Sequence, residues 1–340
     1  MYLQEPQITP NTFFHITPAS QPNQAPVIIY FISGNPGLIS YYHPFLSFLS
    51  SKLSSWAEKQ PKSQQDTTFQ IYGRNLGGFD IGPEGENAEK DAPYYGLEEQ
   101  ICIVQERLEE LVHSKDRVGA NLPGGAVPKV ILIGHSVGTY IAMEIMRRHR
   151  ERRSSGFDIV GGVLLFPTVV DIAKSPSGQK LTKLLSFIPK LALVVGILVR
   201  ILTMFLPDFI LRACINLVMS SPPKDAVDST LAFIKSKRGV RQALHMARDE
   251  MTTISADKWT DDIWGISTSK EPPAKLFFYF GRNDHWVEEK TRDEIIEVRG
   301  KVKGGPTMFV CDDGLPHAFC LKHSEVMATK VADMIKDIVS

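Results

Sequence analysis

The chain has 340 residues, 43% of them apolar and 22% charged, an ordinary globular balance that excludes wholesale disorder. Its 38 basic and 38 acidic residues cancel, so the basic excess that marks nucleic-acid binders is missing and no nucleic-acid partner is expected. The four cysteines (Cys102, Cys214, Cys311, Cys320) form no C-x-x-C pair, which argues against a disulfide framework or a zinc or redox centre and for a reducing compartment.

Residues 1–25 show neither a basic start nor an apolar core, so no secretory signal is expected there, and they are set apart as an extension. The run 27–32, VIIYFI, is continuous and β-branched, the pattern of a strand buried on both faces. Ser33-Gly34-Asn35-Pro36-Gly37 ends it as a turn. A shorter strand is expected at 69–72. Residues 74–95 are rich in Gly, Pro and acids and are expected to be a loop. Leu97, Ile101, Val104, Leu108 and Leu111 recur at helical steps. Further strands are expected at 130–133, 159–166, 275–280 and 308–310, with a closing helix through Val326, Val331, Met334 and Ile338. Strands alternating with helices predict an α/β fold with a mostly parallel sheet flanked by helices.

The most informative stretch is KVILIGHSVGTYIAMEIM at 129–146. A buried strand runs into Gly134-His135-Ser136-Val137-Gly138 and then into helical spacing. Strand, tight turn and helix are the context in which G-x-S-x-G forms a nucleophile elbow. A serine hydroxyl needs a histidine to take its proton and a carboxylate to hold that imidazole. The chain order Ser, acid, His is met by Asp284, just past strand 275–280, and by His317, just past the last strand. Asp284 could also cap a helix starting near Trp286. Asp312 and Asp313 are rival acids; His285 and His323 are rival bases. For the oxyanion, Val137 supplies one backbone N–H, and the loop after strand 27–32 should supply another. Pro36 has no N–H, which leaves Asn35 first and Gly37 second. No metal or cofactor is expected.

Between the strands near 160 and 277, residues 171–265 offer no strand pattern and contain an apolar run. Within 191–206 only Arg200 and Thr203 are distinctly polar. A 17-residue helix over 190–206, bracketed by Pro189 and Pro207, would extend about 26 Å. That is short of a hydrocarbon core of roughly 30 Å. A buried core helix is one expectation. The favoured one is that 181–219 forms lid helices lying in a lipid surface without spanning it. Leu193, Ile197, Leu202 and Phe205 would then face lipid, and Arg200 would snorkel to the headgroups. The expected organisation is an extension at 1–25, an α/β core at 26–170 and 266–340, and a helical lid insertion at 171–265.

GNPG at 34–37 with Tyr41-Tyr42 soon after, GHSVG at 134–138, the strand-to-acid segment ending at Asp284, and GLPHAF at 314–319 together resemble the lipid droplet-associated hydrolases, of the α/β-hydrolase superfamily. The resemblance runs from about residue 26 to the end and includes the apolar insertion. It implies a serine esterase or lipase-like enzyme with Ser136 as nucleophile, Asp284 as acid and His317 as base. It also implies residence on lipid droplets and the endoplasmic reticulum, on their cytosolic face, with lipid esters such as sterol esters or acylglycerols as substrates. The alternative is a droplet surface protein that uses the same fold for lipid binding or tethering. The GNP turn is similar to that of haloalkane dehalogenases, whose asparagine helps bind halide, but those enzymes carry an aspartate nucleophile where this chain has Ser136.

Overall fold

The computed structural model describes residues 5–17, 26–59, 67–86, 93–114, 127–152, 156–188, 190–267 and 273–340. Its centre is an eight-stranded sheet in the spatial order β1-β2-β4-β3-β5-β6-β7-β8. In chain order the strands and first helices are β1 (Gln7–Thr9), β2 (Thr12–Ile16), β3 (Val27–Ile32), α1 (His43–Lys59), β4 (Phe69–Arg74), α2 (Pro83–Glu86), α3 (Leu97–His113), β5 (Lys129–His135), α4 (Val137–Glu151) and β6 (Asp158–Leu165). Five helices follow: α5 (Pro176–Phe187), α6 (Leu191–Phe205), α7 (Asp208–Val218), α8 (Lys224–Lys235) and α9 (Gly239–Thr253). The chain then returns to the sheet as β7 (Lys275–Phe280), α10 (Glu289–Ile295), β8 (Thr307–Val310) and α11 (Ser324–Val339).

From β4 to β8 every neighbour pair is parallel, while β1 and β2 add antiparallel to the β4 edge. This is the expected α/β architecture. Two expectations are corrected. Residues 7–16 belong to the sheet, because β2 pairs with β4 from Thr12 opposite Arg74 to Ile16 opposite Gln70. Part of the 74–95 segment is the short helix α2.

The central strands are apolar without alternation because both of their faces are covered. Ile28, Tyr30, Val130 and Leu132 point to one side, into a core shared with α3, α4 and Met246 of α9. Ile29, Phe31, Ile131 and Ile133 point to the other, against α1 and α11. Burying a large aliphatic or aromatic side chain in such a core stabilises the fold by roughly 1.5–3 kcal/mol each.

The five helices α5 to α9 lie between β6 and β7. Their return segment is fastened to α4 by Glu144, whose buried carboxylate accepts from Trp259 Nε1 at 2.7 Å and pairs with Lys258 at 3.1 Å and Arg147 at 3.0 Å. Burial raises the Glu144 pKa, but these partners outweigh it and hold the carboxyl below its ordinary value. Helices α7 and α8 share a small core of Leu211, Ile215, Val227 and Leu231.

Helix α6 does not have the character of a core helix. Among its residues only Leu191 is buried. Its 15 residues extend about 22 Å, and among the described residues no single helix is long and apolar enough to cross a membrane. By length and composition only, α5 and α6 together pass that test as a pair bent by 92°. Pro189, which brackets the run in the sequence, lies outside the described residues.

Candidate active site

Ser136 stands between the last residue of β5 and the first of α4, at φ +54° and ψ −126°. A positive φ is costly for a non-glycine residue, by about 1–3 kcal/mol, and persists only where the surroundings enforce it. Here they do. A Cβ on Gly134 would lie 2.5 Å from the Gly138 carbonyl oxygen, and one on Gly138 would lie 2.3 Å from that of Ile32. Strand and helix therefore approach backbone to backbone, and the turn between them is forced tight. The Ser136 N–H donates to Leu165 O on β6 at 3.0 Å.

His317 and Asp284 come to this serine from two neighbouring loops. Asp284 follows β7 and His317 follows β8. The His317 Nε2 lies 2.9 Å from Ser136 Oγ, and its Nδ1 lies 2.7 Å from Asp284 Oδ2. A carboxylate only accepts, so Nδ1 carries the proton and the Nε2 lone pair faces the hydroxyl. The second Asp284 oxygen accepts the Trp286 N–H at 2.8 Å. Burial pushes the Asp284 carboxyl up. The facing His317 ring, its hydrogen bond and the Trp286 N–H together override this and hold the acid ionised below the ordinary range. Asp284 thus caps a turn and faces His317 at once, although the helix near it starts at Glu289 and not at Trp286.

The rivals are engaged elsewhere. Asp312 pairs with Arg282, and Asp313 with Lys330 at 2.7 Å. The His285 ring is 6.2 Å from that of His317, and His323 immediately precedes α11.

A second hydrogen-bonded chain runs behind the serine. His135 Nε2 lies 2.9 Å from the His317 carbonyl oxygen, which can only accept, so Nε2 holds the proton. Nδ1 then accepts from the Tyr42 hydroxyl at 2.7 Å, and the Tyr42 oxygen accepts the Gly34 N–H at 3.2 Å. Burial depresses the His135 pKa to about 3, with the nearby His317 adding to it, so the ring is neutral. The elbow, the turn after β3 and the loop of His317 are joined through one imidazole. The sequence carried Tyr42 and His135 inside its motifs, yet nothing in their spacing assigned them this link.

The turn after β3 divides differently from expectation. Asn35 lines the cavity over Ser136. Its side-chain amide donates to Glu250 Oε1 at 2.8 Å and to Ala243 O at 3.0 Å, both on α9. The amide protons are therefore committed, which leaves only the backbone N–H of Asn35 for an oxyanion. Gly37 does not line the cavity. Its carbonyl accepts from Leu76 N–H, and a Cβ there would lie 2.5 Å from Leu76 Cβ, so its need for glycine is a packing need. The glycine that abuts the serine is Gly34, where a Cβ would lie 3.0 Å from Ser136 Cβ. Val137 is the first residue of α4, a position whose N–H has no acceptor within the helix.

The cavity measures about 450 Å³. Its floor is Ser136, His317 and Tyr42; its roof is apolar and comes from the inserted helices through Leu181, Met219, Leu244 and Met251. Among the described residues Glu250 is the one carboxyl in the lining. Burial lifts it to about 8, offset in part by the Asn35 amide. No sequence signal pointed to Glu250, which meets Asn35 across 215 positions. Among the described residues no group of three or more His, Cys, Asp or Glu side chains is placed to hold a metal.

On the outer side, Leu193, Ile197 and Leu202 are exposed, and Phe205 is 73% exposed. Phe187 of α5 and Phe209, Leu217 and Val218 of α7 are each more than 70% exposed as well. Arg200 is exposed on α6.

Comparison with known proteins bears on the family and the fold. The family model described as "Lipid-droplet associated hydrolase" matches residues 25–320. A lipid droplet-associated hydrolase of Mus musculus is 29% identical over 329 residues, covering 94% of this chain and 86% of that protein. One of Gallus gallus is 28% identical over 308 residues, covering 90% and 83%. Among solved structures, a haloalkane dehalogenase from Bradyrhizobium elkani superposes with a TM-score of 0.57 at 12% identity, covering 96% of this chain and 94% of that one. A thermophilic esterase from Thermogutta terrifontis gives 0.53 at 12% identity, covering 97% and 94%. At that identity the two structures speak for the fold alone. With the family model spanning strands β3 to β8, the elbow and the inserted helices, the chain belongs to the lipid-droplet associated hydrolase family.

Proposed function

We propose that this protein cleaves carboxylic esters of lipids through an acyl-serine intermediate on Ser136. The observation that carries this is the continuous Asp284–His317–Ser136 relay opening into an apolar cavity roofed by the inserted helices. His317 Nε2 takes the Ser136 proton as Oγ attacks the acyl carbon. Asp284 holds the Nδ1–H tautomer and stabilises the imidazolium. The developing oxyanion is met by the Val137 N–H at the start of α4, where the helix dipole also favours negative charge, and by the Asn35 backbone N–H. His317 returns the proton to the leaving alcohol, and a water activated by the same imidazole releases the acid.

The place of action is the cytosolic face of lipid droplets and the endoplasmic reticulum, as the resemblance implies. Residues 171–265 serve as the lid, and the face bearing Leu193, Ile197, Leu202 and Phe205 rests in the lipid without spanning it, the mode of a monotopic amphipathic element. Sterol esters and acylglycerols are the candidate substrates. The deciding experiment is a covalent serine-hydrolase probe combined with a panel of triacylglycerols, sterol esters and short aryl esters, comparing the protein with Ser136→Ala. Labelling at Ser136 with turnover of a lipid ester is the expected result. A folded protein that neither labels nor turns over would favour a tethering or lipid-binding role.

A further inference from the structure

Beside the apolar face of α6 lies a second cavity, of about 320 Å³, in the seam where α6 meets the end of α8 and the start of α9. Three cations line it: Arg200 from α6, Lys237 from the α8–α9 connection and Arg241 from α9. Among the described residues no carboxylate lines it. Nearby cations are neutralised, Lys235 of α8 by Asp208 at 2.8 Å and Arg212 of α7 by Asp228. Arg200, Lys237 and Arg241 make no ion pair among the described residues. Three clustered like charges repel one another, and an arrangement that gathers them without a counter-charge favours an anion between them.

The position of the cavity says which kind of anion. Ile197 and Ile201 line it and are also 46% and 45% exposed on the outer apolar face of α6. The cations therefore begin where the apolar surface stops. Gly196 lets the Arg241 stem lie against α6, since a Cβ there would come within 2.4 Å of Arg241 Cγ. Val240 and Arg241 belong to the first turn of α9, where the helix dipole adds positive potential. An element resting in lipid by its apolar residues, with basic residues at its edge, holds those residues at the depth of the headgroup phosphates.

We infer that the seam between α6, α8 and α9 is a binding site for the headgroup of an anionic phospholipid, held by Arg200, Lys237 and Arg241. It rests on the placement of α6 in a lipid surface proposed above and adds to it a preference for the charge of that surface. The bound group is a phosphate ester; a free phosphate shares that chemistry but lacks the acyl chains that the adjoining Ile197 and Ile201 would contact.

The test uses the full chain and triolein droplets coated either with phosphatidylcholine alone or with phosphatidylcholine and phosphatidylserine. The wild type is expected to partition roughly 10- to 100-fold more strongly to the anionic coat. Arg200→Gln, Lys237→Gln and Arg241→Gln combined should abolish that preference. Binding to the neutral coat and turnover of a soluble aryl ester should be unchanged, the latter also reporting that the variant is folded. The combination Lys290→Gln, Lys301→Gln and Lys303→Gln, remote from the seam, should keep the preference. A seam variant that retains the preference, or a remote variant that loses as much, overturns the site. Competition by inorganic phosphate as effective as the anionic coat would make it a soluble-anion site and overturn the lipid assignment. A wild type that binds neither coat overturns the lipid-facing role of α6 itself, an outcome distinct from loss of the charge preference alone.

Discussion

The imidazole of His135 donates from Nε2 to the backbone carbonyl of His317 at 2.9 Å, so the residue before the serine holds the loop that carries the base. Its other nitrogen accepts from Tyr42, which in turn accepts from Gly34 N–H. The carbonyl, which has no proton to give, fixes the direction of the two His135 bonds, and the Gly34 N–H can only donate. His135 is therefore a positioning residue for three loops at once. Replacing it with Phe keeps the ring volume and removes both bonds. We expect kcat to fall roughly 10- to 100-fold with little change in KM, as for a loss of alignment with no loss of substrate contact. An unchanged kcat in a folded variant would leave the link without a catalytic role.

The same residue sets an acid limit on stability. His135 is neutral in the folded chain down to about pH 3, whereas an unfolded histidine protonates near 6.5. Between these values the unfolded chain binds more protons, so stability is full above about pH 6.5 and falls as pH drops toward 3. Thermal unfolding of His135→Phe should be flatter over that window than that of the wild type, once measured against the remaining carboxylates in both.

Glu250 has the opposite sign. Its folded value of about 8 lies above the ordinary 4.5 for the group. The folded chain binds more protons between the two, so Glu250 lowers stability progressively as pH rises from about 4.5 to 8. Glu250→Gln keeps an acceptor for the Asn35 amide and cannot ionise. It should raise the melting temperature at pH 8 relative to pH 5 when compared with the wild type, and equal differences at the two pH values would refute the assignment.

Single changes in the relay should have graded effects on ester turnover. Ser136→Ala and His317→Ala should remove nearly all of it with the fold intact, and Asp284→Asn should cost about 10⁴-fold by offering the wrong tautomer. Circular dichroism and active-site labelling alongside the rates separate chemistry from unfolding. Substantial turnover in His317→Ala would place the base elsewhere.

The two glycines of the turn after β3 should fail differently. Gly34→Ala pushes a methyl against Ser136 Cβ and the His135 ring, so activity should fall more than stability. Gly37→Ala drives a methyl into Leu76 and Phe79, an overpacked site, and should cost about 1–3 kcal/mol of stability. Denaturant melts with initial rates distinguish the two; identical behaviour would erase the distinction between the turn's catalytic and packing halves.

Charges at Leu193, Ile197 and Leu202, each to Asp, should release the protein from droplets into the aqueous fraction without unfolding it, because all three side chains are already exposed. A flotation assay reads this directly, and retention on droplets would return the apolar face to some other role.

Local periodicity was enough to predict the parallel strands, the G-x-S-x-G motif between strand and helix pointed to the elbow, and the chain order Ser, acid, His singled out Asp284 and His317 as candidates. A strand covered on both faces has to be apolar throughout, as VIIYFI and VILI are, and a strained turn has to have glycines where backbones touch. Strands β1 and β2 escaped because an edge hairpin of three and five residues leaves little pattern. The tertiary structure alone decided where long-range partners meet. The Asn35 amide is spent on Glu250 across 215 positions, Gly37, expected as the second oxyanion donor, packs on Leu76 instead, and His135 finds a carbonyl 182 positions away. Such pairings are set by how helices and loops stack on the sheet, and no residue pattern within a window of the chain encodes them. The exposure of α6 is of the same kind. An apolar run of this length is compatible with a core helix or a surface one, and only the packing of α8 and α9 behind it determined which side of Ile197 and Ile201 faces outward.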